Sequence, residues 1–121
     1  QPLALDEPVD IGIQDFCEKC KKCATNCPSG AIPDGEKTVV RGIRKWKLDE
    51  EKCLSYWGKA GYTCGICQAV CPWTKPQTPF HRIVAGLAVH APLLRRALVL
   101  GDDIVYGARF RAKPLPDWLR K

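Results

Sequence analysis

Cys17-Glu18-Lys19-Cys20-Lys21-Lys22-Cys23-Ala24-Thr25-Asn26-Cys27-Pro28 is the stretch that decides how this chain is read. It sets four cysteines at C-x2-C-x2-C-x3-C-P spacing. The arrangement returns as Cys53, Cys64, Cys67 and Cys71-Pro72, with ten residues between the first two cysteines where the first copy has two. Three cysteines at successive two-residue gaps wrap a tight loop around one polynuclear centre. The fourth lies just beyond, where the chain turns away at proline.

This spacing is the sequence mark of bacterial two-cluster ferredoxins, in which the fourth cysteine ligates the other [4Fe–4S] cluster. On that pattern cluster one takes Cys17, Cys20, Cys23 and Cys71, and cluster two takes Cys27, Cys53, Cys64 and Cys67. The insertion between Cys53 and Cys64 reads as a loop excursion that leaves the ligand count intact. Cys64-Gly65-Ile66-Cys67 keeps the tight turn, with Gly65 free to take positive φ. Zinc prefers separated cysteine pairs, often with histidine, and fits this run poorly. A disulfide scaffold does not call for so regular a repeat.

Working outward, the chain of 121 residues has room for one domain, or one domain and a tail. Ten glycines and ten prolines imply many turns, and a loop-rich fold of this size needs a staple. The formal net charge is +6. Eight thiolates add about −8 and two oxidised cluster cores about +4, which brings the loaded protein to about +2. Nucleic-acid binding is discounted on that ground. The longest apolar stretch, Ile83 to Leu100, is interrupted by His90, Pro92, Arg95 and Arg96. It falls short of the roughly 20 apolar residues a spanning helix needs, so no membrane span is expected in this chain. The chain has no methionine and begins at Gln1, so residues are expected to have preceded it.

The fold class read from these signals is α+β, a two-cluster ferredoxin-like core with a C-terminal helical extension. Residues 1–15 read as an extended lead-in, 16–76 as the cluster domain with a hairpin insertion at about 34–49, and 77–121 as helical extension and tail. Asp34-Gly35 is a turn signal, and Thr38 to Arg41 and Ile43 to Leu48 alternate as short strands. Thr78-Pro79 predicts a helix start, with Phe80, Ile83, Val84, Leu87 and Ala88 at helical spacing. Pro92 ends or kinks that helix, and Leu93 to Leu100 adds a turn or two closed by Gly101. The tail carries Tyr106, Phe110 and Trp118 without clear periodicity.

Tyr56, Trp57, Tyr62 and Trp73 flank the second motif and read first as core packing, second as shields that keep water from a cluster. His81 and His90 are lone histidines in a helical stretch and make poor metal ligands. Lys37, Arg41, Arg44, Lys45 and Lys47 form a basic run: a solvated face, or a dock for an acidic donor. Lys19, Lys21 and Lys22 stand in the first ligand loop, where they offset cluster charge.

The wider pattern resembles the iron–sulfur region of corrinoid-dependent reductive dehalogenases. The resemblance is carried by Phe16-Cys17, Cys23-Ala24 and Cys27-Pro28-Ser29-Gly30-Ala31-Ile32. Further on it is carried by Cys53-Leu54-Ser55-Tyr56-Trp57, Cys64-Gly65-Ile66-Cys67 and Val70-Cys71-Pro72-Trp73. Pro8-Val9-Asp10-Ile11-Gly12 and Trp46-Lys47-Leu48-Asp49 extend it over about residues 8 to 76. Epoxyqueuosine reductase, a related corrinoid enzyme, is similar through Cys67 to Trp73.

The resemblance implies electron transfer through two [4Fe–4S] clusters to a corrinoid cobalt, held by a catalytic domain that lies mostly before this region in the family. Its acid and base residues have no counterpart here, so no catalytic residue is assigned and the chain alone is not expected to be an enzyme. The partners implied are that corrinoid-binding domain and a low-potential donor. The rival reading is a free-standing ferredoxin-like carrier or small subunit that docks on a separate oxidoreductase; a third is a cluster that senses oxygen or redox state. The residues point to no single compartment: the cytoplasm, or export in folded form if a twin-arginine signal has been removed.

Overall fold

The computed structural model describes residues 6–61 and 63–111. Tyr62, Trp118 and the rest of the two chain ends lie outside the described residues. The elements are α1 (Ile13–Cys20), α2 (Lys22–Thr25), β1 (Thr38–Val40), β2 (Ile43–Lys45), α3 (Glu50–Ala60), α4 (Ile66–Ala69), α5 (Pro79–His90) and α6 (Arg95–Tyr106). Single 3-10 turns at Pro72–Thr74 and Pro92–Leu94 precede α5 and α6.

Helix α1 begins inside the stretch read as an extended lead-in. Its start is built from backbone geometry: Gly12 sits at φ 70°, its amide donates to Asp10 Oδ1 at 2.7 Å, and its carbonyl accepts from Phe16 N at 3.1 Å. A Cβ on Gly12 would lie 2.1 Å from Arg95 Nη2, so the position is closed to any side chain. Lys21 alone separates α1 from α2, at φ 48°, a left-handed conformation that strains a non-glycine residue by about 1–2 kcal/mol. Its ammonium group in return holds the carbonyls of Asp34 and Gly35.

The strands pair antiparallel, Thr38 with Lys45, Val39 with Arg44 and Val40 with Ile43. Arg41 (φ 52°) and Gly42 (φ 79°) close them in a two-residue turn with both central residues at positive φ, which suits the twist of a hairpin. The hairpin is tied to α1 by Lys37 Nζ, 2.5 Å from Glu18 Oε1. Trp46 Nε1 donates to the Gly35 carbonyl at 2.8 Å, beneath the Lys37 ammonium.

The segment between Cys53 and Cys64 is not a loop excursion. Most of it belongs to α3, capped by Asp49 Oδ1 accepting from Lys52 N at 3.1 Å and closed by Gly61 at φ 72°. Glu50 and Glu51 in its first turn suit the helix dipole. Thr78 caps α5 with Pro79 at the first helical position, and the helix ends at His90. Helix α6 runs through Gly101 to Tyr106, past the expected stop. No single helix among the described residues is long and apolar enough to cross a membrane, and α5 and α6 bend by 112° at their junction.

Among the described residues only Phe16, Ala31, Val70, Ala88 and Val99 are buried apolar side chains. Phe16, Ala88 and Val99 join α1, α5 and α6, with Cys20, Trp73 and Leu98 packed around them. Phe16 meets Trp73 edge-to-face at 5.3 Å. Two buried cations complete the joint. Lys22 pairs with Asp102 and, at 2.8 Å, with Asp103, tying α2 to α6. Burial pushes its ammonium pKa down, but those two carboxylates outweigh it and hold it above the usual value.

Arg95 donates to Ala88 O at 2.8 Å, Val89 O at 3.2 Å and Asp15 Oδ2 at 2.6 Å. It thereby satisfies the open carbonyl end of α5 and reaches α1. Arg95→Met should therefore cost about 3 kcal/mol, because it keeps bulk but leaves buried carbonyls without donors. The urea midpoint of the cluster-loaded protein measures this, and an unchanged midpoint would show the carbonyls rehydrate freely.

Candidate metal centre

All eight cysteines are free thiols of intermediate burial. Cys17 and Cys20 ride on α1, Cys23 on α2, Cys53 on α3 and Cys67 on α4. Cys27 follows α2, Cys64 precedes α4, and Cys71 stands just before the Pro72–Thr74 turn.

The two C-x2-C turns are the same structure, bond for bond. In the first, Ala24 N and Thr25 N donate to Lys21 O, Asn26 N to Lys22 O and Cys27 N to Ala24 O, all at 3.1 Å. In the second, Gln68 N and Ala69 N donate to Gly65 O, Val70 N to Ile66 O and Cys71 N to Gln68 O, again at 3.1 Å. Lys21 at φ 48° and Gly65 at φ 62° occupy equivalent left-handed positions. Helices α2 and α4 pack on each other, so the two halves meet face to face.

The thiols sense one another across these halves. Burial chiefly, with the neighbouring Cys23, Cys71 and Cys20, raises Cys17 to about 11 against a small opposing effect of Lys37. Cys20 is raised by burial, and Cys71 and Cys23 stand beside it. Cys53 is raised by desolvation and then by Cys27, Cys67 and Cys64. Cys71 therefore stands with the first three cysteines, and Cys27 stands with the second copy. Cys23 is raised chiefly by burial and feels both Cys71 and Cys67, so cysteines of both copies lie near it.

Cys27 behaves differently. Burial pushes its pKa up, but the Ser29 hydroxyl, 3.5 Å from Sγ, and the amides of Ile32, Ala31 and Ser29 together bring it below the ordinary thiol value. That is a preformed nest for a sulfur anion. The amides of Lys22 and Ala24 serve Cys20 and Cys23 in the same way.

The donor set fits a polynuclear cluster. Among the described residues no three Cys, His, Asp or Glu side chains converge tightly enough to share one ion. A cubane, by contrast, takes its thiolates at separate corners. Tuning of its potential falls to amides at the sulfurs and to exclusion of water.

The flanking residues divide. Trp73 packs against Phe16, and its buried Nε1 has no hydrogen-bond partner among the described residues. Trp57 is 39 % exposed and Tyr56 half-buried. His81 bridges Thr78 Oγ1 and the Tyr106 hydroxyl, both at 2.6 Å, so it ties α5 to α6. Asn26 was not singled out from sequence, yet it pins the C-terminal strap over α2. It donates to Ala108 O at 3.0 Å and accepts from Phe110 N at 2.7 Å, while Arg109 reaches Thr25 O at 2.6 Å.

A motif of eight cysteines on two turns with the same hydrogen bonds suits an iron–sulfur dicluster fold. Residues 16–75 match the family described as 4Fe-4S dicluster domain, and this stretch of the chain belongs to it. It is 41 % identical over 116 residues to a tetrachloroethene reductive dehalogenase of Sulfurospirillum multivorans, covering 89 % of this chain and 23 % of the relative. A tetrachloroethene reductive dehalogenase of Desulfitobacterium hafniense is 40 % identical over 84 % of this chain and 20 % of its own length. Epoxyqueuosine reductase of Escherichia coli is 31 % identical over 61 % of this chain and 20 % of its own length.

In three dimensions the chain superposes on a solved reductive dehalogenase, described as B12-dependent, with TM-score 0.82 and 38 % identity, over 88 % of this chain and 16 % of that one. The chain thus corresponds to the iron–sulfur part of reductive dehalogenases and spans about a fifth of the length of the curated dehalogenases it matches.

Proposed function

We propose that this chain is the electron-transfer module of a corrinoid-dependent reductive dehalogenase. Its cysteines hold one [4Fe–4S] cluster through Cys17, Cys20, Cys23 and Cys71, and another through Cys27, Cys53, Cys64 and Cys67. The observation that carries the reading is the crossed neighbourhood of Cys71 and Cys27. When bound, such clusters supply one-electron storage and transfer. The protein's part is to hold the thiolates, to aim amides at Cys27, Cys20 and Cys23, and to keep the two quartets adjacent through α2 and α4.

The corrinoid and the halogenated substrate belong to the part of the protein that the relatives carry outside this region. The finer fold assignment rests on the same symmetry: a ferredoxin-like core over about 16–76, with the hairpin as an insertion, and an α5–α6 extension packed on α1. The outer faces of α5 and α6 leave Ile83 and Ile104 at 65 % and 85 % exposure, and the turn between the helices leaves Leu93 at 96 %, which suits a surface that a larger protein covers. A free-standing carrier has less support, because the relatives named above hold this region within much longer chains.

Iron and sulfide analysis of the anaerobically prepared chain tests the reading. About eight iron atoms per chain are expected, with [4Fe–4S]-type EPR on reduction and no tight binding of cobalamin by the isolated chain. About two zinc atoms, or tight cobalamin binding, would overturn it.

A further inference from the structure

We propose that the β1–β2 hairpin is the docking surface for a small acidic one-electron carrier protein, an iron–sulfur or flavin carrier, and that electrons enter the module there. The inference rests on the electron-transfer reading above and adds the partner's chemistry and its landing site.

Residues 37–48 carry Lys37, Arg41, Arg44, Lys45 and Lys47 and no acidic residue. The cluster-loaded chain has a net charge of only about +2, so this is local concentration rather than general basicity. Arg41, Arg44, Lys45 and Lys47 are all exposed. Among the described residues, Arg41, Arg44 and Lys45 have no ion-pair partner, in contrast to Lys22 and Arg95, which are buried in pairs. By the strand register Val39 shares one face of the hairpin with Arg44, and Ile43 shares the other with Lys45; the two apolar side chains are 68 % and 61 % exposed. Each face thus sets an exposed apolar side chain beside a cation, which suits a transient carrier: steering from the charge, and desolvated contact from its apolar neighbour.

The hairpin is also anchored where docking is useful. Lys37 is held by Glu18, the residue after Cys17, and lies 4.5 Å from the centre of the Trp46 ring. The hairpin is thereby tied to the helix that carries Cys17, and a partner seated on it lands beside that helix. The transfer needs no bond change: the reduced carrier loses one electron and the cluster gains it.

The test is stopped-flow reduction of the cluster-loaded protein by a reduced acidic two-iron ferredoxin, with dithionite as a reductant that needs no dock. In Arg44→Glu/Lys45→Glu the second-order rate with ferredoxin should fall at least tenfold at low ionic strength. The parent rate should drop steeply with salt and the variant rate should be nearly flat. Iron content and the dithionite rate should be unchanged. The milder Arg44→Gln/Lys45→Gln should give an intermediate loss.

A variant reduced by ferredoxin at the parent rate, with dithionite reduction intact, overturns the docking surface alone. So does a parent rate indifferent to salt. Charge-dependent sedimentation with phosphatidylglycerol vesicles, together with an unchanged ferredoxin rate, overturns it in favour of a membrane surface. Failure of dithionite to reduce the parent's clusters overturns the electron-transfer reading itself.

Discussion

Cys17→Ala/Cys71→Ala is expected to keep about four iron atoms per chain, whereas Cys17→Ala/Cys27→Ala is expected to lose nearly all eight. The pairs run against sequence order. Cys17 and Cys27 belong to one copy of the repeat, and Cys71 to the other. If each copy served its own cluster, the two results would be reversed. The structure sets Cys71 against Cys17 and Cys20, and Cys27 against Cys53. Double variants measure this directly because losses within one cluster overlap and losses in different clusters add. Each single cysteine variant should hold about four iron atoms and cannot separate the arrangements alone.

Removing iron by anaerobic chelation after oxidation should abolish the cooperative thermal transition, not merely lower it. Five buried apolar side chains among the described residues, none of them a large one fully shielded, form a thin core for a chain of this length. The cysteines proposed as ligands sit on or beside α1, α2, α3 and α4, so bound clusters would join α2, α3 and α4, which the core near Phe16 does not reach, to α1. Binding free energy at such sites is folding free energy. Near-UV circular dichroism should collapse while part of the helical signal remains. An apoprotein that melts sharply at the holoprotein's temperature would mean the polypeptide is self-sufficient.

The two cysteine turns were legible because their spacing is a local property: each turn is written in a handful of consecutive residues, and the copies repeat it. The start of α5 was legible for a similar reason, since Thr78 and Pro79 act on the backbone next to them. Helix α3 was hidden by attention to its cysteine gap, although its Asp49 cap and Gly61 stop are ordinary signals. The hairpin turn was placed by its surroundings, since Arg41 at positive φ carries no turn signature. Gly101 looked like a stop, but Val99, Asp102 and Asp103 are held by long-range contacts that carry α6 through it. Arg95 read as a charge interrupting an apolar stretch. Its partners Ala88 and Asp15 come from other elements, which no local pattern records.

Under the cluster assignment proposed above, the unequal supply of ligands to the two quartets would set an order of construction. Cys17, Cys20 and Cys23 lie within one short stretch and can grip iron before the rest of the chain has organised. The second quartet has just Cys64 and Cys67 close together, and must wait for Cys27 and Cys53 from either side. Under that assignment a first centre that takes Cys71 would hold α4 against α2, the packing seen here, and would keep Cys67 and Cys64 near Cys27. Once that long loop is closed, adding Cys53 through α3 requires only a smaller closure within it. A first centre would in this way hasten the second, while α2 packed on α4 keeps the second quartet within reach even without it.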